Sequence, residues 1–302
     1  MAPKRMRSRS MVEQPRMNDQ SMAQPKASHA SPPDNDEHEL LSVVTLVNDP
    51  DAYERARASL ARSHRSDEIQ WLPIEADRLG VSATVALNEG IDRSHADWIV
   101  CAHQDVRFPD AWWSAAARQI AQWERDAGCR VGVAGLVGVT RGGTFRGSTI
   151  DPAGFSRWTP LPDRVLTVDE HVLILRRDSG LRFDPHTPGF HCYGTDLALT
   201  ARRSGFDVIV VDAPVRHFST GTIDDTFRRS AAWLLGKWGA EYAHVIPTCA
   251  ATIARRSVSS VSRRALVHVN RRLSVWRRRL RLDGQPVAPL VPHTPDRQGP
   301  AA

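Results

Sequence analysis

DWIVCAHQDVRFPDAWW, residues 97–113, is the stretch on which the fold turns. An unbroken apolar run, Trp98 to Ala102, delivers an imidazole, an amide and a carboxylate in succession: His103, Gln104 and Asp105. Burying polar groups without partners is costly, so such a cluster at a strand end marks either a turn or a site. Taken singly, Asp105 reads as a turn or cap residue, the commonest use of Asp in such a place. The flanking segments decide.

Upstream, LLSVVTLV (40–47) is an apolar run of strand length that ends in Asn48-Asp49-Pro50. A segment with helical spacing follows, then a short strand, IQWLPI (69–74), and a helix over 82–95 with Ser82 as N-cap. Downstream of WIVCA (98–102) come a helix over 109–128 and a strand, VGVAGLVGV (131–139). Strands apolar along their whole length, alternating with helices, predict a parallel sheet covered on both faces. The expected architecture is an α/β domain with a doubly wound, mostly parallel central sheet. In such sheets ligands collect at the carboxyl ends of the strands, where His103 to Asp105 stand.

The second half is less regular. Residues 140–164, rich in Gly, Pro, Arg and Trp, are expected to form a loop. VLTVDEHVLILRR (165–177) is strand material interrupted by Asp169-Glu170-His171, and a helix over 195–205 is closed by Gly205. DVIVVD (207–212) is a strand, and residues 225–240 are helical in pattern.

Charge divides the chain. Residues 40–250 hold 23 Lys/Arg against 26 Asp/Glu, whereas 251–302 hold 11 against 2. A slightly acidic body argues against nucleic acid as a partner. Apolar positions 258, 261, 265, 269, 273, 276 and 280 fall on one helical face, with ten arginines between 255 and 281. That pattern fits a basic amphipathic helix, lying on an anionic membrane surface or packed on the body. Expected boundaries are a disordered segment 1–38, a folded α/β domain 39–245, the basic helix 246–284 and a disordered end 285–302. Four widely spaced cysteines and no span of ~20 apolar residues fit a cytoplasmic protein, with the tail placing it at the inner membrane face.

Several polar groups therefore follow apolar runs: Asn48 and Asp49, His103 to Asp105, Asp169 and Glu170, and His217. If these ends share a rim, Asp105 with His217 suits a divalent cation, Mn²⁺ or Mg²⁺, holding a diphosphate. Each has a plainer use: Asp196 as cap of its own helix, His217 as an ordinary hydrogen-bonded histidine, Asn48-Asp49-Pro50 as a turn.

From Ser42 to Gly239 the chain resembles family 2 glycosyltransferases of GT-A fold, in the branch named after a streptomycin-biosynthesis protein. The segments that carry the likeness are SVVTLVND (42–49), ALNEGI (86–91), WIVCAHQDV (98–106), VDEHVLILRR (168–177), LRFDPHTPGFHCYGTDLAL (181–199) and VIVVDAPVRHFSTG (208–221). The resemblance implies that Val47, Asn48 and Asp49 touch the base and ribose of a nucleotide diphosphate sugar, and that Asn88 lies near the nucleotide. It implies that His103, Gln104 and Asp105 replace an Asp-x-Asp motif, with Asp105 the metal-binding acid and His103 in place of the first. His217 matches a late metal-ligand histidine. Asp196 matches the acid near the acceptor, with Asp169 or Glu170 next in line because Gly194 takes the place of a second acid. His191 and Tyr193 fall on the acceptor side. The implied reaction is inverting sugar transfer to the hydroxyl of a saccharide, a lipid-linked or a small-molecule acceptor. A nucleotidyltransferase and a non-catalytic nucleotide-sugar-binding protein are the alternatives. The chain lacks a Gly-rich loop ending in GK[ST], and Gly194 and His103 both depart from the acidic pattern.

Overall fold

Three strands start the sheet: β1 (Leu41–Leu46) pairs in parallel with β2 (Ile69–Ile74) on one side and β3 (Trp98–Ala102) on the other. The structure is a computed structural model and describes residues 41–62, 68–76, 80–219, 221 and 223–254. The basic stretch 255–281 and the terminal segments 1–38 and 285–302 lie outside the described residues. Helix α1 (Pro50–Ala61) follows β1; Asp49 caps it by accepting from Ala52 N–H at 3.0 Å. Helix α2 (Ala83–Arg93) follows β2, with Ser82 as its cap as expected. It lies so close over β1 that a Cβ on Gly90 would meet Val44 Cγ1 at 2.3 Å, which explains a glycine inside a helix.

Beyond β3 the short β4 (Val106–Arg107) precedes α3 (Trp112–Ala127), which buries Trp112, Trp113, Ala116 and Ile120 along one face. The chain then forms β5 (Val131–Gly135), β6 (Val137–Val139), β7 (Phe145–Asp151), β8 (Gly154–Trp158), β9 (Asp163–Arg164), β10 (Thr167–Val168) and β11 (Val172–Arg176). Helix α4 (Tyr193–Arg203), β12 (Asp207–Val210), β13 (Arg216–His217) and α5 (Asp225–Trp238) follow. A hairpin of β14 (Val245–Pro247) and β15 (Thr252–Ala254) ends the described chain. Its Ile246 and Ile253 join Trp238, Leu234 and Leu199 in one apolar cluster, so packing continues past residue 245. Among the described residues no helix is long and apolar enough to cross a membrane.

The main sheet runs β2-β1-β3-β11-β5-β12-β9. Strand β11 enters antiparallel to both β3 and β5, while β12 is parallel to β5. A second sheet, β10-β6-β7-β13-β4 with β8 beside β7, is antiparallel except where β13 meets β7. The expectation of a doubly wound, mostly parallel sheet is thus corrected. The sheet is mixed, and antiparallel pairings outnumber parallel ones among the described strands. The physical reason lies in the connections. A parallel pair needs a crossover of about a dozen residues, usually a helix, and no helix stands between β6 and β11. The apolar run of β11 carries no mark of direction. Val172 and Ile174 pack with α1 and α3 on one face, Leu173 and Leu175 with α2 and α4 on the other.

The loop expected over 140–164 is also corrected, since it contains β7, β8 and β9. Its glycines misled the pattern. Gly147 sits within β7 at φ 111°, where a Cβ would meet Leu136 O at 2.0 Å. It marks a close approach of backbones, not a break in the strand.

Candidate metal centre and substrate cavity

Backbone pairing builds the site. At the end of β3, His103 N–H donates to His171 O at 3.0 Å. Gln104 Oε1 accepts from the backbone N–H groups of Asn48 and Asp49 at 2.9 Å each, and its amide donates to Asn48 Oδ1. The carboxyl ends of β1 and β3 are thereby tied together. Strand β4 then pairs antiparallel with β13, setting His217 opposite Val106, and Phe218 N–H donates to Asp105 O at 3.1 Å. That register brings Asp105 and His217 together from distant parts of the sequence.

Three side chains converge there. His103 Nδ1 lies 3.3 Å from His217 Nε2 and 4.0 Å from Asp105 Oδ1, and His217 Nε2 lies 3.4 Å from Asp105 Oδ1. A single ion ~2.1 Å from all three atoms, an ordinary first-row metal–ligand distance, fits that triangle, so the cluster can coordinate a divalent cation. The donor states agree. Burial, reinforced by the neighbouring imidazoles of His217 and His171, lowers the pKa of His103 to about 4, leaving it neutral with a lone pair to give. For Asp105, burial opposes ionisation, but hydrogen bonding from His217 and the nearby imidazoles outweigh it and hold the carboxyl down at about 2. The other ring nitrogen of His103, Nε2, lies 3.1 Å from Tyr193 Oη, and Ser219 Oγ lies 3.0 Å from His217 Nε2. A partner on the second nitrogen, as Tyr193 is to His103, orients an imidazole toward a metal.

The cluster opens into a cavity of about 830 Å³. Of the residues expected at the site, Val47, Asn48, Asp49, His103, Gln104 and Asp105 line it from the β1 and β3 ends. Asp169, Glu170, His191, Tyr193 and His217 line it from the other half of the chain. Asn88 and Asp196 do not. Asn88 clamps Phe183, donating to its carbonyl at 2.8 Å and accepting from its N–H at 2.9 Å. Asp196 is 1% exposed in the first turn of α4, and it is not that helix's cap. It meets Lys237 Nζ at 2.8 Å and accepts from Trp238 Nε1 at 2.6 Å, both on α5.

Two carboxylates from the β10–β11 connection reach the cavity in different states. Asp169 Oδ1 accepts from His171 Nδ1 at 2.7 Å; burial opposes its ionisation, but His171 pulls its pKa well below the usual carboxylate range. Glu170 accepts from Gly194 N–H at 3.3 Å, and burial together with the Asp169 charge pushes its pKa up to about 8. A Cβ on residue 194 would meet Glu170 Cγ at 2.8 Å, so the glycine leaves room for this side chain. His171, Asp151 and Ser219 also line the cavity and were not assigned from sequence. For His171 and Ser219 a signal existed: each lies within two residues of a residue that was.

No family model matches this chain. A protein of Fuscovulum blasticum, "ATP synthase subunits region ORF 6", is 27% identical over 207 residues, covering 65% of this chain and 82% of that protein. A solved structure, "Crystal structure of GalNAc-T7 with UDP, GalNAc and Mn2+", aligns at 12% identity with a TM-score of 0.47. The alignment covers 68% of this chain and 49% of that one, about half the length of the solved chain.

Proposed function

We propose that this chain is a metal-assisted glycosyltransferase of GT-A type, moving a sugar from a nucleotide diphosphate sugar to an acceptor hydroxyl with inversion. The observation that carries the proposal is the His103–Asp105–His217 triangle beside the β1 end in one cavity large enough for such a donor. Two imidazoles and a carboxylate suit Mn²⁺ better than Mg²⁺, which takes oxygen ligands. When bound, the ion supplies positive charge to the diphosphate as the sugar leaves.

Val47, Asn48 and Asp49 form the wall assigned to base and ribose. Gln104 holds that wall in place, its side chain being committed to the backbone of residues 48 and 49. His191 and Tyr193 stand on the acceptor side. Glu170 is assigned as the base that takes the acceptor proton. It reaches the cavity, which Asp196 does not, and its elevated pKa suits proton transfer near neutrality, a contribution of typically ~10²–10⁴-fold. Asp169 is the weaker base because His171 stabilises its charged form.

The test is a panel of nucleotide diphosphate sugars offered to the full chain with and without Mn²⁺, with release of nucleotide and calorimetric binding both measured. The expected result is Mn²⁺-dependent binding of at least one nucleotide diphosphate and slow hydrolysis of its sugar derivative. Absence of binding across the panel with Mn²⁺ present overturns the proposal. Binding without hydrolysis or transfer, retained in Glu170→Gln, would make the chain a nucleotide-sugar-binding protein instead.

A further inference from the structure

Few large apolar side chains are exposed among the described residues, and two of them share the cavity. Phe190 is 56% exposed and Ile223 is 43% exposed, and both line it. Val81, Val85, Phe155 and Val245 are exposed elsewhere. Phe218 is exposed too, but it does not line the cavity, and the Arg107 guanidinium covers its ring at 5.1 Å from the centroid. Single apolar side chains scattered over a soluble surface are ordinary. Two bulky ones bared on the wall of one cavity point to a ligand that covers them.

The two belong to one stretch of wall. Residues 188–191 are docked on the start of α5: Ser230 Oγ donates to Pro188 O at 2.5 Å, and the His191 ring meets Phe227 edge-on at 5.6 Å. Phe190 is thus presented by a segment fixed on either side of it. Ile223 stands immediately before Asp224, the cap of α5, and His191 Nε2 lies 3.9 Å from Asp224 Oδ1. Gly221, Phe227, Cys249 and Ala250 complete this part of the lining, and none of them is charged. Asp224 spends its carboxylate on the cap, accepting from Phe227 N–H at 2.9 Å. The metal centre, Asp169 and Glu170 supply the polar part of the same cavity. No Lys or Arg is among the described lining residues to meet an anionic substituent.

A molecule that matches both parts is amphiphilic. A bare sugar would leave the Phe190 and Ile223 side chains wet, whereas an apolar substituent on it removes them from water. We propose that the acceptor carries an uncharged apolar group, aryl or alkyl, beside the part that bears its reactive hydroxyl, and that Phe190 and Ile223 seat this group. Covering the bared parts of both side chains should tighten binding by about tenfold. An aryl group adds an edge-on or offset contact with the Phe190 ring. The inference rests on the glycosyltransferase reading for the reacting hydroxyl; the apolar subsite itself rests on the cavity wall.

The test uses the full chain in the presence of UDP and Mn²⁺. Calorimetry compares the methyl, phenyl and hexyl β-glycosides of glucose, galactose and N-acetylglucosamine, each below the concentration at which it self-associates. In at least one sugar series the phenyl or hexyl glycoside is expected to bind about tenfold more tightly than the methyl one, with a more negative heat-capacity change. The double variant Phe190→Ser with Ile223→Ser should erase most of that margin and leave UDP–Mn²⁺ affinity within about twofold, since neither residue is in the ion site. Phe190→Leu should keep the hexyl margin and shrink the phenyl one. UDP–Mn²⁺ binding with no apolar preference in any series overturns the inference and leaves the transferase proposal standing. An apolar preference without UDP–Mn²⁺ binding supports the subsite and overturns the transferase proposal. A preference unchanged in the double variant overturns the assignment to this wall. Sedimentation of parent and double variant covers the remaining occupant: self-association lost in the variant, with no glycoside preference in the parent, assigns the two side chains to a second copy of the chain and overturns the inference.

Discussion

Replacing Asp196 with Asn tests whether this buried carboxylate holds the fold or takes the acceptor proton. The resemblance read from the sequence assigns Asp196 to the acceptor side, yet it is buried away from the cavity between Lys237 and Trp238. Asn would keep an acceptor for Trp238 Nε1 and remove the charge that faces Lys237. Deleting one partner of a buried ion pair costs ~3–5 kcal/mol. Lys237 keeps Asp184 at 2.7 Å and its side chain is 23% exposed, so a reduced cost of ~2–3 kcal/mol is expected. For a folded body of roughly 200 residues that lowers Tm by ~4–12 °C. Scanning calorimetry on the full chain, run beside nucleotide release per folded molecule, gives both readouts. Asp196→Asn should melt early and, well below its transition, turn over within about threefold of the parent because no reacting group is touched. Glu170→Gln should show the reverse: an undiminished Tm and a turnover reduced by ~10²–10⁴-fold. A collapse of turnover in Asp196→Asn at unchanged Tm would refute the assignment and restore Asp196 as the base.

Asp105→Ala should abolish the coupling between Mn²⁺ and nucleotide diphosphate, and Tyr193→Phe, which removes the oxygen that orients His103, should weaken Mn²⁺ binding by ~10–100-fold in calorimetry. Asp207 is held below its ordinary pKa: burial opposes ionisation, but hydrogen bonds from Arg164, Cys129 and Trp123 outweigh it. Its contribution to stability is therefore full above the unfolded carboxyl pKa of ~3.9 and fades as pH falls through the lower folded value. In a series of Tm against pH, the gap between parent and Asp207→Asn should close on the acid side; a gap constant down to the lowest pH measured would disprove it. Gly147→Ala should cost about 3 kcal/mol or more, because the new methyl meets Leu136 O and the backbone is left-handed there. Chemical denaturation of the variant measures it.

What the sequence made legible follows from what is local. Strands β2 and β3 have the spans read from their apolar runs, and Ser82 caps α2, because burial pattern and capping chemistry are properties of adjacent residues. Strand direction was not legible. Val172 to Arg176 would look the same entered from either end, and only the missing helix before it hinted at a reversal. At the site, His103, Asp105 and His217 stood out because each ends a strand-like run in a polar group. The burial of Asp196 was not legible because its partners are about 41 positions further on, in α5, and a buried ion pair leaves no periodic trace. His171 escaped notice because its place on the cavity wall, beside Asp169 and stacked on His217, is a property of packing and not of composition.

The two-residue ladder between β4 and β13 has a kinetic consequence. Asp105 and His217 are joined through a closed loop of roughly a hundred residues, and closing so long a loop comes late and costs entropy before any contact repays it. An ion bound at that junction acts as a latch on the chain. It favours the closed form by mass action, so Mn²⁺ should slow unfolding of the second sheet while leaving exchange of β1 and β2 amides little changed.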